Sequence, residues 1–545
     1  MKLKYILLFL FALILKSGFT QPVEEWTQRY NGSANSFDIV SKILVDNDNN
    51  VYIFGSGNQT GSATDFLIIK YSPDGNILWT ELFNGSGNSF DHINSACFDN
   101  SGNIYVTGYT TDFESRNLIT TAKFDTSGNF IWSNVFSKQG YIIGDGKDII
   151  VDNSDNILVC GSIKREIGFF DIEVIKYSPE GDEIWSNTFN GEGNGHDNPV
   201  TLKNDNLDNI IIAGTSKSLS TDSDMIIIKY DSSSNLIWKK TFNGTADLGD
   251  VLTSMVLDTE SNIYFCGNKF NTQSSYDYFY AKLDQNGNII WSGSYNGIGN
   301  SIDIPSSIIL DSFNNVYITG FSRAGMDLGS EDFLTIKLDQ DGNTGWVRNF
   351  DGIANGMDQA NSIAVDNYGN VYVGGGSDTG NIHLVYSLIK YDPQGIFQWE
   401  KNYFHSQIPE DFIYNVALDN MNNIYVTGIS FSTITDYDIA TVKYSRTVGI
   451  NQSQNYLPEK FFLRQNYPNP FNPSTVIGYD LNVSGFVSLK IYDILGKKIT
   501  TLVNENQQAG THEVLWDASD SPNGFYFYEM KVEKYSSVKK MLLIK

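Results

Sequence analysis

Residues 99–132, DNSGNIYVTGYTTDFESRNLITTAKFDTSGNFIW, contain the unit from which most of the chain is built. A polar turn, Asp99–Asn103, precedes a short strand pattern, Ile104–Gly108, that is rich in β-branched and aromatic residues. A polar loop leads to a second strand pattern that ends at Lys123–Phe124. A hairpin turn with a glycine, Asp125–Asn129, then precedes a strand that carries a tryptophan. The stretch therefore predicts antiparallel β-structure.

The unit returns every 53 residues, with one interval of 55. Tryptophan marks it at Trp26, Trp79, Trp132, Trp185, Trp238, Trp291, Trp346 and Trp399. Lysine marks it at Lys70, Lys123, Lys176, Lys229, Lys282, Lys337, Lys390 and Lys443. Each copy holds four strand-like runs and no helical periodicity, and four short strands per repeat of about fifty residues predict a β-propeller blade.

The count of strands predicts eight blades in a closed ring over residues 24–446. The first strand pattern, Trp26–Tyr30, matches the fourth strand of a blade, and the last, Asp438–Tyr444, matches the third. One strand is left over at the start of the ring, and one is missing at its end. We therefore expect Trp26–Tyr30 to complete the last blade, because closure protects edges that an open array would expose.

Stacking explains the recurring residues, because both faces of a blade are covered by its neighbours. Runs such as Met225–Ile228 are apolar at every position, as this burial requires. Each tryptophan offers a large surface for burial between blades. Each recurring lysine is interpreted as the ion-pair partner of a recurring aspartate, or as a stem that covers apolar surface.

The two ends of the chain differ from the repeats. Residues 1–20 combine lysines with an apolar run, Tyr5–Leu15, and small residues, which predicts a secretory signal peptide and a mature chain without a membrane span. Residues 447–460 are polar and are predicted to be a linker. Residues 461–545 hold six or seven alternating runs separated by turns, which predict a small Ig-like β-sandwich.

The repeat core resembles the SBBP family of bacterial β-propeller repeats. The resemblance rests on Asn103–Gly108, on the lysine-terminated third strand, on the glycine-containing hairpin and on the tryptophan. The family name implies seven blades, whereas eight are counted here. The core also looks like the pyrroloquinoline-quinone-type repeat, but the adjacent cysteine pair of those enzymes is absent. Fold similarity does not transfer function.

The tail resembles the C-terminal sorting domain of the type IX secretion system of Bacteroidetes and their relatives. The matching motifs are Asn466–Thr475, Leu489–Gly496, Asn523–Tyr526 and Lys539–Lys545. The resemblance implies that residues 461–545 interact with the secretion machinery. It also implies export through the periplasm, followed by release or attachment to the cell surface. The alternative is an ordinary Ig-like accessory module.

Charge and cysteine content exclude some functions. Residues 21–446 carry 24 basic and 54 acidic side chains, a net charge of −30. This charge argues against nucleic acid or an anionic membrane as partner. The three cysteines do not form a disulfide framework, and Cys160 and Cys266, which occupy the same repeat position, are predicted to be buried thiols.

Aspartates recur on both rims of the predicted ring. One rim carries Asp38, Asp91, Asp197, Asp250, Asp303, Asp358 and Asp411 before the inner strands, and Asp65, Asp171, Asp224, Asp277, Asp332 and Asp438 before the third strands. They are interpreted as caps that bind backbone N–H groups, the alternative being a mouth that attracts cations. The opposite rim has Asp-x-x-x-Asn turns such as Asp46–Asn50. Asx turns explain these turns without a cofactor, and calcium is the lesser alternative because the other EF-hand positions do not match.

Two functional hypotheses remain open. The first is a secreted or surface-held, non-catalytic scaffold that binds a protein or a glycan. The second is a secreted hydrolase, lyase or quinone-type enzyme with its site at the mouth of the ring. A single ligand needs a local difference, so we expect it at positions that depart from the repeat, in loops 137–145, 162–170, 322–331, 377–384 and 405–410. Arginine, histidine and aromatic side chains there carry binding energy at interfaces, and the candidates are Tyr141, Arg165, Phe169, Arg323, His383 and His405. No catalytic, cofactor-binding or metal-binding residue is predicted.

Overall fold

The computed structural model describes residues 21–545 apart from 220–221, 245–247, 324, 326–329, 353, 355, 381–382, 407–409, 446–461, 464–465, 467–470, 482, 508–509, 520, 533–534 and 545. The predicted signal peptide and linker lie outside the described residues. Two compact units make up the chain, Met1–Thr447 and Val448–Lys545. Within the described part, no helix has the length and apolar character needed to cross a bilayer.

The first unit consists of four-stranded antiparallel sheets, one per blade. Its first strand is β1 (Val23–Tyr30). Blade 1 contains β2 (Ile39–Val45), β3 (Val51–Gln59), β4 (Ala63–Tyr71) and β5 (Ile77–Phe83); blade 2 contains β6 (His92–Phe98), β7 (Ile104–Thr111), β8 (Asn117–Phe124) and β9 (Phe130–Val135). Blade 3 contains β10 (Tyr141–Val151), β11 (Ile157–Arg165), β12 (Phe170–Tyr177) and β13 (Glu183–Phe189); blade 4 contains β14 (Asp197–Asn204), β15 (Ile210–Lys217), β16 (Ser223–Tyr230) and β17 (Leu236–Phe242).

The second half of the ring repeats this pattern. Blade 5 contains β18 (Val251–Leu257), β19 (Ile263–Asn271), β20 (Ser275–Leu283) and β21 (Ile289–Tyr295); blade 6 contains β22 (Asp303–Leu310), β23 (Val316–Arg323), β24 (Glu331–Leu338) and β25 (Thr344–Phe350). Blade 7 contains β26 (Asp358–Val365), β27 (Val371–Asp378), β28 (Leu384–Tyr391) and β29 (Phe397–Tyr403); blade 8 contains β30 (Phe412–Leu418), β31 (Ile424–Ser432) and β32 (Asp436–Ser445). The predicted eight-bladed propeller is confirmed in the described residues.

The ring closes as predicted, because β1 is the outer strand of blade 8. It pairs antiparallel with β32, with Trp26 opposite Lys443 and Tyr30 opposite Ile439. Arg29 on β1 also reaches across this sheet, where its Nη2 lies 2.7 Å from Asp438 Oδ2 and its Nη1 donates to Ser430 Oγ at 2.5 Å. The N-terminal and C-terminal ends of the ring are therefore joined by side chains as well as by the ladder.

Apolar clusters fill the space between neighbouring blades. One cluster joins Tyr52, Phe54 and Phe66 of blade 1 to Ile93 and Val106 of blade 2, all of which are nearly or fully buried. The cysteines belong to such clusters, since Cys160 and Cys266 are fully buried free thiols. Their prediction as buried thiols is confirmed, and burial raises the pKa of both.

The recurring tryptophan and lysine hold the hairpin of the next blade. Trp26 Nε1 and Lys443 Nζ both donate to the carbonyl oxygen of Pro73, at 3.0 and 2.9 Å, which ties blade 8 to blade 1. Gly75 in that hairpin has a positive φ of 82°, and a Cβ there would lie 2.6 Å from Trp26 Cγ. Glycine is needed because the indole lies against the turn. The recurring tryptophans are less buried than expected, since only Trp346 and Trp399 among these eight residues are buried, at 7% and 4% exposed.

The recurring lysines of blades 1, 3, 4 and 5 pair with aspartates of their own blades, as predicted, whereas Lys443 of blade 8 pairs with Glu25. Lys176 Nζ lies 2.8 Å from Asp152 Oδ2, and Lys229 Nζ lies 2.8 Å from Asp205 Oδ2. Lys70 also lies over the Tyr52 ring at 4.8 Å. The charge is therefore satisfied inside the ring by an ion pair and an aromatic face.

The second unit is a two-sheet β-sandwich in the described residues. One sheet contains β33 (Phe462–Leu463), β34 (Ser474–Leu481) and β37 (Gly510–Asp517); the other contains β35 (Gly485–Asp493), β36 (Lys498–Gln507), β38 (Gly524–Val532) and β39 (Tyr535–Leu543). Their inner faces share one core, in which Ile477 and Tyr479 of the first sheet meet Leu489, Tyr528 and Met530 of the second. This agrees with the predicted Ig-like tail.

Candidate functional site

The upper rim of the ring is formed by the connections between the second and third strands of each blade and by those from one blade to the next. Tyr141, Arg165 and Phe169 lie on this rim at blade 3. The other three candidates are spread over blades 6 to 8: Arg323 ends β23, His383 precedes β28, and His405 lies between β29 and β30. The six residues therefore do not form one site, and the three on blade 3 are the group that lies together.

The recurring aspartates before the inner strands act as structural caps, as predicted. Asp91 is typical: it is fully buried, and its carboxylate accepts hydrogen bonds from the backbone N–H groups of Gly85 and Thr111. A Cβ at Gly85 would lie 2.9 Å from Asp91 Oδ1, and glycine stands six residues before the aspartate in six of the seven capped blades, with His405 in the seventh. Burial raises the pKa of Asp91 to about 6 despite these bonds.

Blade 3 departs from this cap at both positions. Gly144 stands where the other blades have the aspartate, and Lys138 stands where most of them have the glycine. The inner strand then extends: β10 begins at Tyr141, which pairs with Arg165 of β11. Residues 141–145 and 162–165 were expected to be loops, and that expectation is wrong, because the ladder replaces the cap.

Tyr141 and Arg165 form a stacked pair at the end of this ladder. The Arg165 guanidinium lies 4.9 Å from the centre of the Tyr141 ring, and its Nη2 donates to the Tyr141 hydroxyl at 2.9 Å. That hydroxyl donates in turn to Asp171 Oδ2 at 3.0 Å. Arg165 is exposed, so an arginine is held in a fixed orientation at the surface.

Exposed apolar side chains lie on the connection that follows Arg165 and on the equivalent connection of blade 2. Phe169 is 51% exposed and packs edge-on against His196 with 4.9 Å between ring centres. Ile167 on the same connection is 92% exposed, and Phe113 on the equivalent connection of blade 2 is 85% exposed. Aromatic residues beside a fixed arginine are typical of the centres of binding interfaces.

A small cavity of about 70 Å³ opens beneath Tyr141, between blades 2 and 3. Arg116, Lys138 and Ser137 contribute polar groups, and the remaining wall is largely apolar, with Leu118, Phe136, Ile143 and Ile163. Among the residues that the structure describes, the lining includes no acidic side chain. Lys138 Nζ also donates to the buried Glu173 Oε1 at 2.8 Å, which fixes its position.

The candidate residues on blades 6 to 8 have the following surroundings. Arg323 donates from Nε and Nη2 to Glu331 Oε1, and Glu331 is only 3% exposed. The backbone N–H of His383 donates to Asp378 Oδ1 at 3.1 Å. His405 is exposed, and desolvation followed by the charge of Arg29 lowers its pKa.

Three carboxylates approach one another near Arg323. Ligand atoms of Asp332, Asp351 and Asp358 lie within 4.8 Å of each other. Burial, followed by the charges of Asp351 and Asp358, raises the pKa of Asp332 to about 7. Acidic groups alone do not make a metal site.

On the opposite rim, Asp46 accepts hydrogen bonds from Asp48 N, Asn50 N and Asn50 Nδ2, as the predicted Asx turn requires.

The inner strands carry an ionic chain that the sequence analysis missed. Lys42 Nζ donates to Ser95 Oγ at 3.0 Å, and Ser95 Oγ donates to Asp148 Oδ1 at 2.7 Å. Asp148 Oδ2 accepts from Thr201 Oγ1 at 2.7 Å and lies 3.5 Å from Lys203 Nζ. Burial alone would raise the pKa of Asp148, but Lys203 and Lys42 lower it to about 2. Residues 42, 95, 148 and 201 are 53 apart, so aligning the repeats by column would have revealed the chain.

Comparison with known proteins identifies the tail. Residues 465–545 match the model of the secretion system C-terminal sorting domain, which confirms the predicted sorting domain. An uncharacterized WD repeat-containing protein of Acanthamoeba polyphaga mimivirus is 24% identical, over 62% of this chain and 29% of that protein. This chain thus spans less than a third of the length of that relative.

Solved structures with some likeness to the chain include PorZ, described as an essential bacterial surface component of the type-IX secretion system of Porphyromonas gingivalis. It is 12% identical with a TM-score of 0.34, over 95% of this chain and 75% of that one. A fungal alcohol oxidase in complex with copper is 14% identical with a TM-score of 0.39, over 96% of this chain and all of the other. Likeness at this level carries no argument about function. The SBBP resemblance stays a prediction.

Proposed function

We propose that this protein, a secreted or cell-surface β-propeller exported by the type IX secretion system, is a non-catalytic binding scaffold. Export rests on the sorting domain. The binding role is supported by one observation above all: the upper rim departs from its repeat at blade 3. There the capping aspartate is replaced by Gly144, and the stacked Tyr141–Arg165 pair stands beside Phe169. The ligand, a protein or a glycan, is held at this position.

The symmetry of the other caps favours the same conclusion. In seven blades the aspartate before the inner strand accepts hydrogen bonds from backbone N–H groups of the same blade, so its carboxylate is not available to a ligand. Blade 3 instead presents arginine and aromatic side chains, which carry much of the energy of binding at interfaces. Because a feature present in every blade offers several equal sites, we expect a single ligand to bind the blade that differs from the others.

A hydrolase is the alternative that a specific contact favours. His92 Nδ1 lies 2.6 Å from Ser56 Oγ, a distance that suits a base and its nucleophile. Ser56, however, is 1% exposed, and desolvation lowers the pKa of His92. A buried hydroxyl cannot meet a substrate, so the pair is better explained as a hydrogen bond that joins blades 1 and 2.

A binding array tests the proposal. The full-length protein is applied to glycan and protein arrays, and the best ligand is titrated against Tyr141→Ala and Arg165→Ala. We expect each substitution to weaken binding at least tenfold, since truncation of such residues commonly costs about 2 kcal/mol. Ile298→Ala is the control, because Ile298 is 95% exposed on the upper rim between blades 5 and 6. Equal losses in all three variants, at unchanged melting temperature, would contradict the proposed site.

A further inference from the structure

We infer that the cavity between blades 2 and 3 takes the carboxylate of an acidic side chain from a partner polypeptide. The inference rests on the proposed binding role and names the chemistry of its site. In seven blades the chain places its own aspartate at the upper rim, whereas in blade 3 that position is Gly144 and a cavity lies beside it.

The charge of the cavity wall is unusual for this molecule. Residues 21–446 have a net charge of −30, yet the described residues that line the cavity include two cations, Arg116 and Lys138, and no acid. The acids that pair with these cations, Asp112, Glu114 and Glu173, lie outside the lining. The two cationic side chains are partly exposed, 39% for Arg116 and 31% for Lys138, and their N–H donors beside an apolar wall favour an anionic ligand, because charge-assisted hydrogen bonds are about twice as strong as neutral ones.

Both cations keep donors for a ligand. Lys138 spends two of its three N–H donors on Glu173 Oε1 and on Thr188 Oγ1. Arg116 donates from Nε and Nη2 to Asp112 Oδ2, and its Nη1 lies 2.9 Å from Glu114 Oε2. A guanidinium has five donors, so at least two remain. Their present partners also hold both side chains in place, which reduces the entropy lost on binding.

The size of the cavity and its surroundings indicate a polypeptide. Pockets for whole small molecules have volumes of about 300 Å³ or more, whereas this cavity of about 70 Å³ suits the end of one side chain. On the upper-rim connections of the same two blades, Phe113, Ile167 and Phe169 are exposed apolar side chains of the kind that protein partners cover. A uronic acid residue in a glycan would bring a carboxylate too, but its ring exceeds this space.

The experiment uses the full-length protein and three probes. The first is an acetylated, amidated pentapeptide with a central glutamate among alanines, the second is its glutamine counterpart, and the third is a disaccharide with one glucuronate. Dissociation constants are measured by ligand-observed NMR at millimolar concentrations. We expect the glutamate peptide to bind at least fivefold more tightly than either other probe, since charge-assisted hydrogen bonds are about twice as strong as neutral ones.

Variants test the site itself. Arg116→Gln should reduce the preference for glutamate over glutamine to less than twofold, and Arg116→Lys should restore part of it. Lys217→Gln is the matched control, because Lys217 is a half-exposed lysine of the same rim that pairs with Asp222. Lys138→Met is measured only alongside its melting temperature, because it also leaves Glu173 without a cation.

Three results would overturn the inference: equal binding of both peptides, equal effects of Arg116→Gln and Lys217→Gln, or tighter binding of the glucuronate disaccharide. None of these depends on the array experiment. A ligand found there that is lost in Tyr141→Ala would leave the proposed function standing even if the carboxylate preference failed.

Discussion

Arg29→Ala tests the closure of the ring. Arg29 lies on the N-terminal strand, and its guanidinium contacts Asp438 and Ser430 of the last blade. The Arg29 side chain is 17% exposed and that of Asp438 is 5% exposed, so the pair is nearly buried. Removal of one partner of a buried pair costs about 3–5 kcal/mol, because the other charge is left without compensation.

The expected shift in melting temperature follows from the size of the ring. An unfolding entropy of about 2.1 cal/mol/K per residue gives roughly 0.9 kcal/mol/K for a unit of this length. A loss of about 3 kcal/mol therefore lowers the melting temperature by about 3 °C. Scanning calorimetry measures this shift, and its transitions distinguish the ring from the tail.

Two further variants make the result specific. Lys239→Ala removes an exposed pair with Glu192 and should change the melting temperature by less than about 1 °C, since such pairs contribute at most about 1 kcal/mol. Asp438→Asn added to Arg29→Ala should recover part of the loss, because the unpaired charge is gone. A shift for Arg29→Ala no larger than that for Lys239→Ala would refute the closure energetics.

Three other predictions follow from the charges and the domains. Burial raises the pKa of Asp91 and Asp411 in the folded protein to about 6, above the unfolded value near 4, so protonation of these groups favours the fold. The free energy of unfolding should therefore fall as pH rises from about 4 to 6, and Asp91→Asn should make this fall smaller, as thermal melts at a series of pH values would show. Asp148→Ala should lower the free energy of unfolding by about 3 kcal/mol, measured by calorimetry, because Lys203 and Lys42 lose their buried partner; a change under 1 kcal/mol would show that the ionic chain is dispensable. Deletion of residues 461–545 should leave the transition of the ring unchanged and retain the protein in the periplasm of a host with the secretion machinery, as fractionation and immunoblotting would show; truncated protein in the medium would contradict the role of the tail.

The ring was predictable because its evidence is repeated. Trp26 and Lys443 stand at fixed positions of a 53-residue period, and each copy supports the same strand assignment. The partners in closure follow from counting strands, so the pairing of β1 with β32 needed no structure.

The site was predictable only in part, because it depends on exceptions. In blade 3, Lys138 and Gly144 replace the residues of the cap, and the sequence predicted a loop there. Because the aspartate is absent, the backbone instead extends the ladder from Tyr141. The contact between Tyr141 and Arg165 depends on that ladder. The ionic chain through Asp148 was missed since its members lie on separate blades, and their proximity follows only from stacking.

Hydrogen exchange of the full-length protein, with and without the best ligand from the arrays, tests most directly whether the ligand binds the blade that departs from the repeat. We predict protection in residues 112–118, 136–145 and 163–170, with little change on the upper rim of blades 5 and 6. Protection spread evenly over all eight blades, or confined to the Asp-x-x-x-Asn turns of the opposite rim, would contradict it.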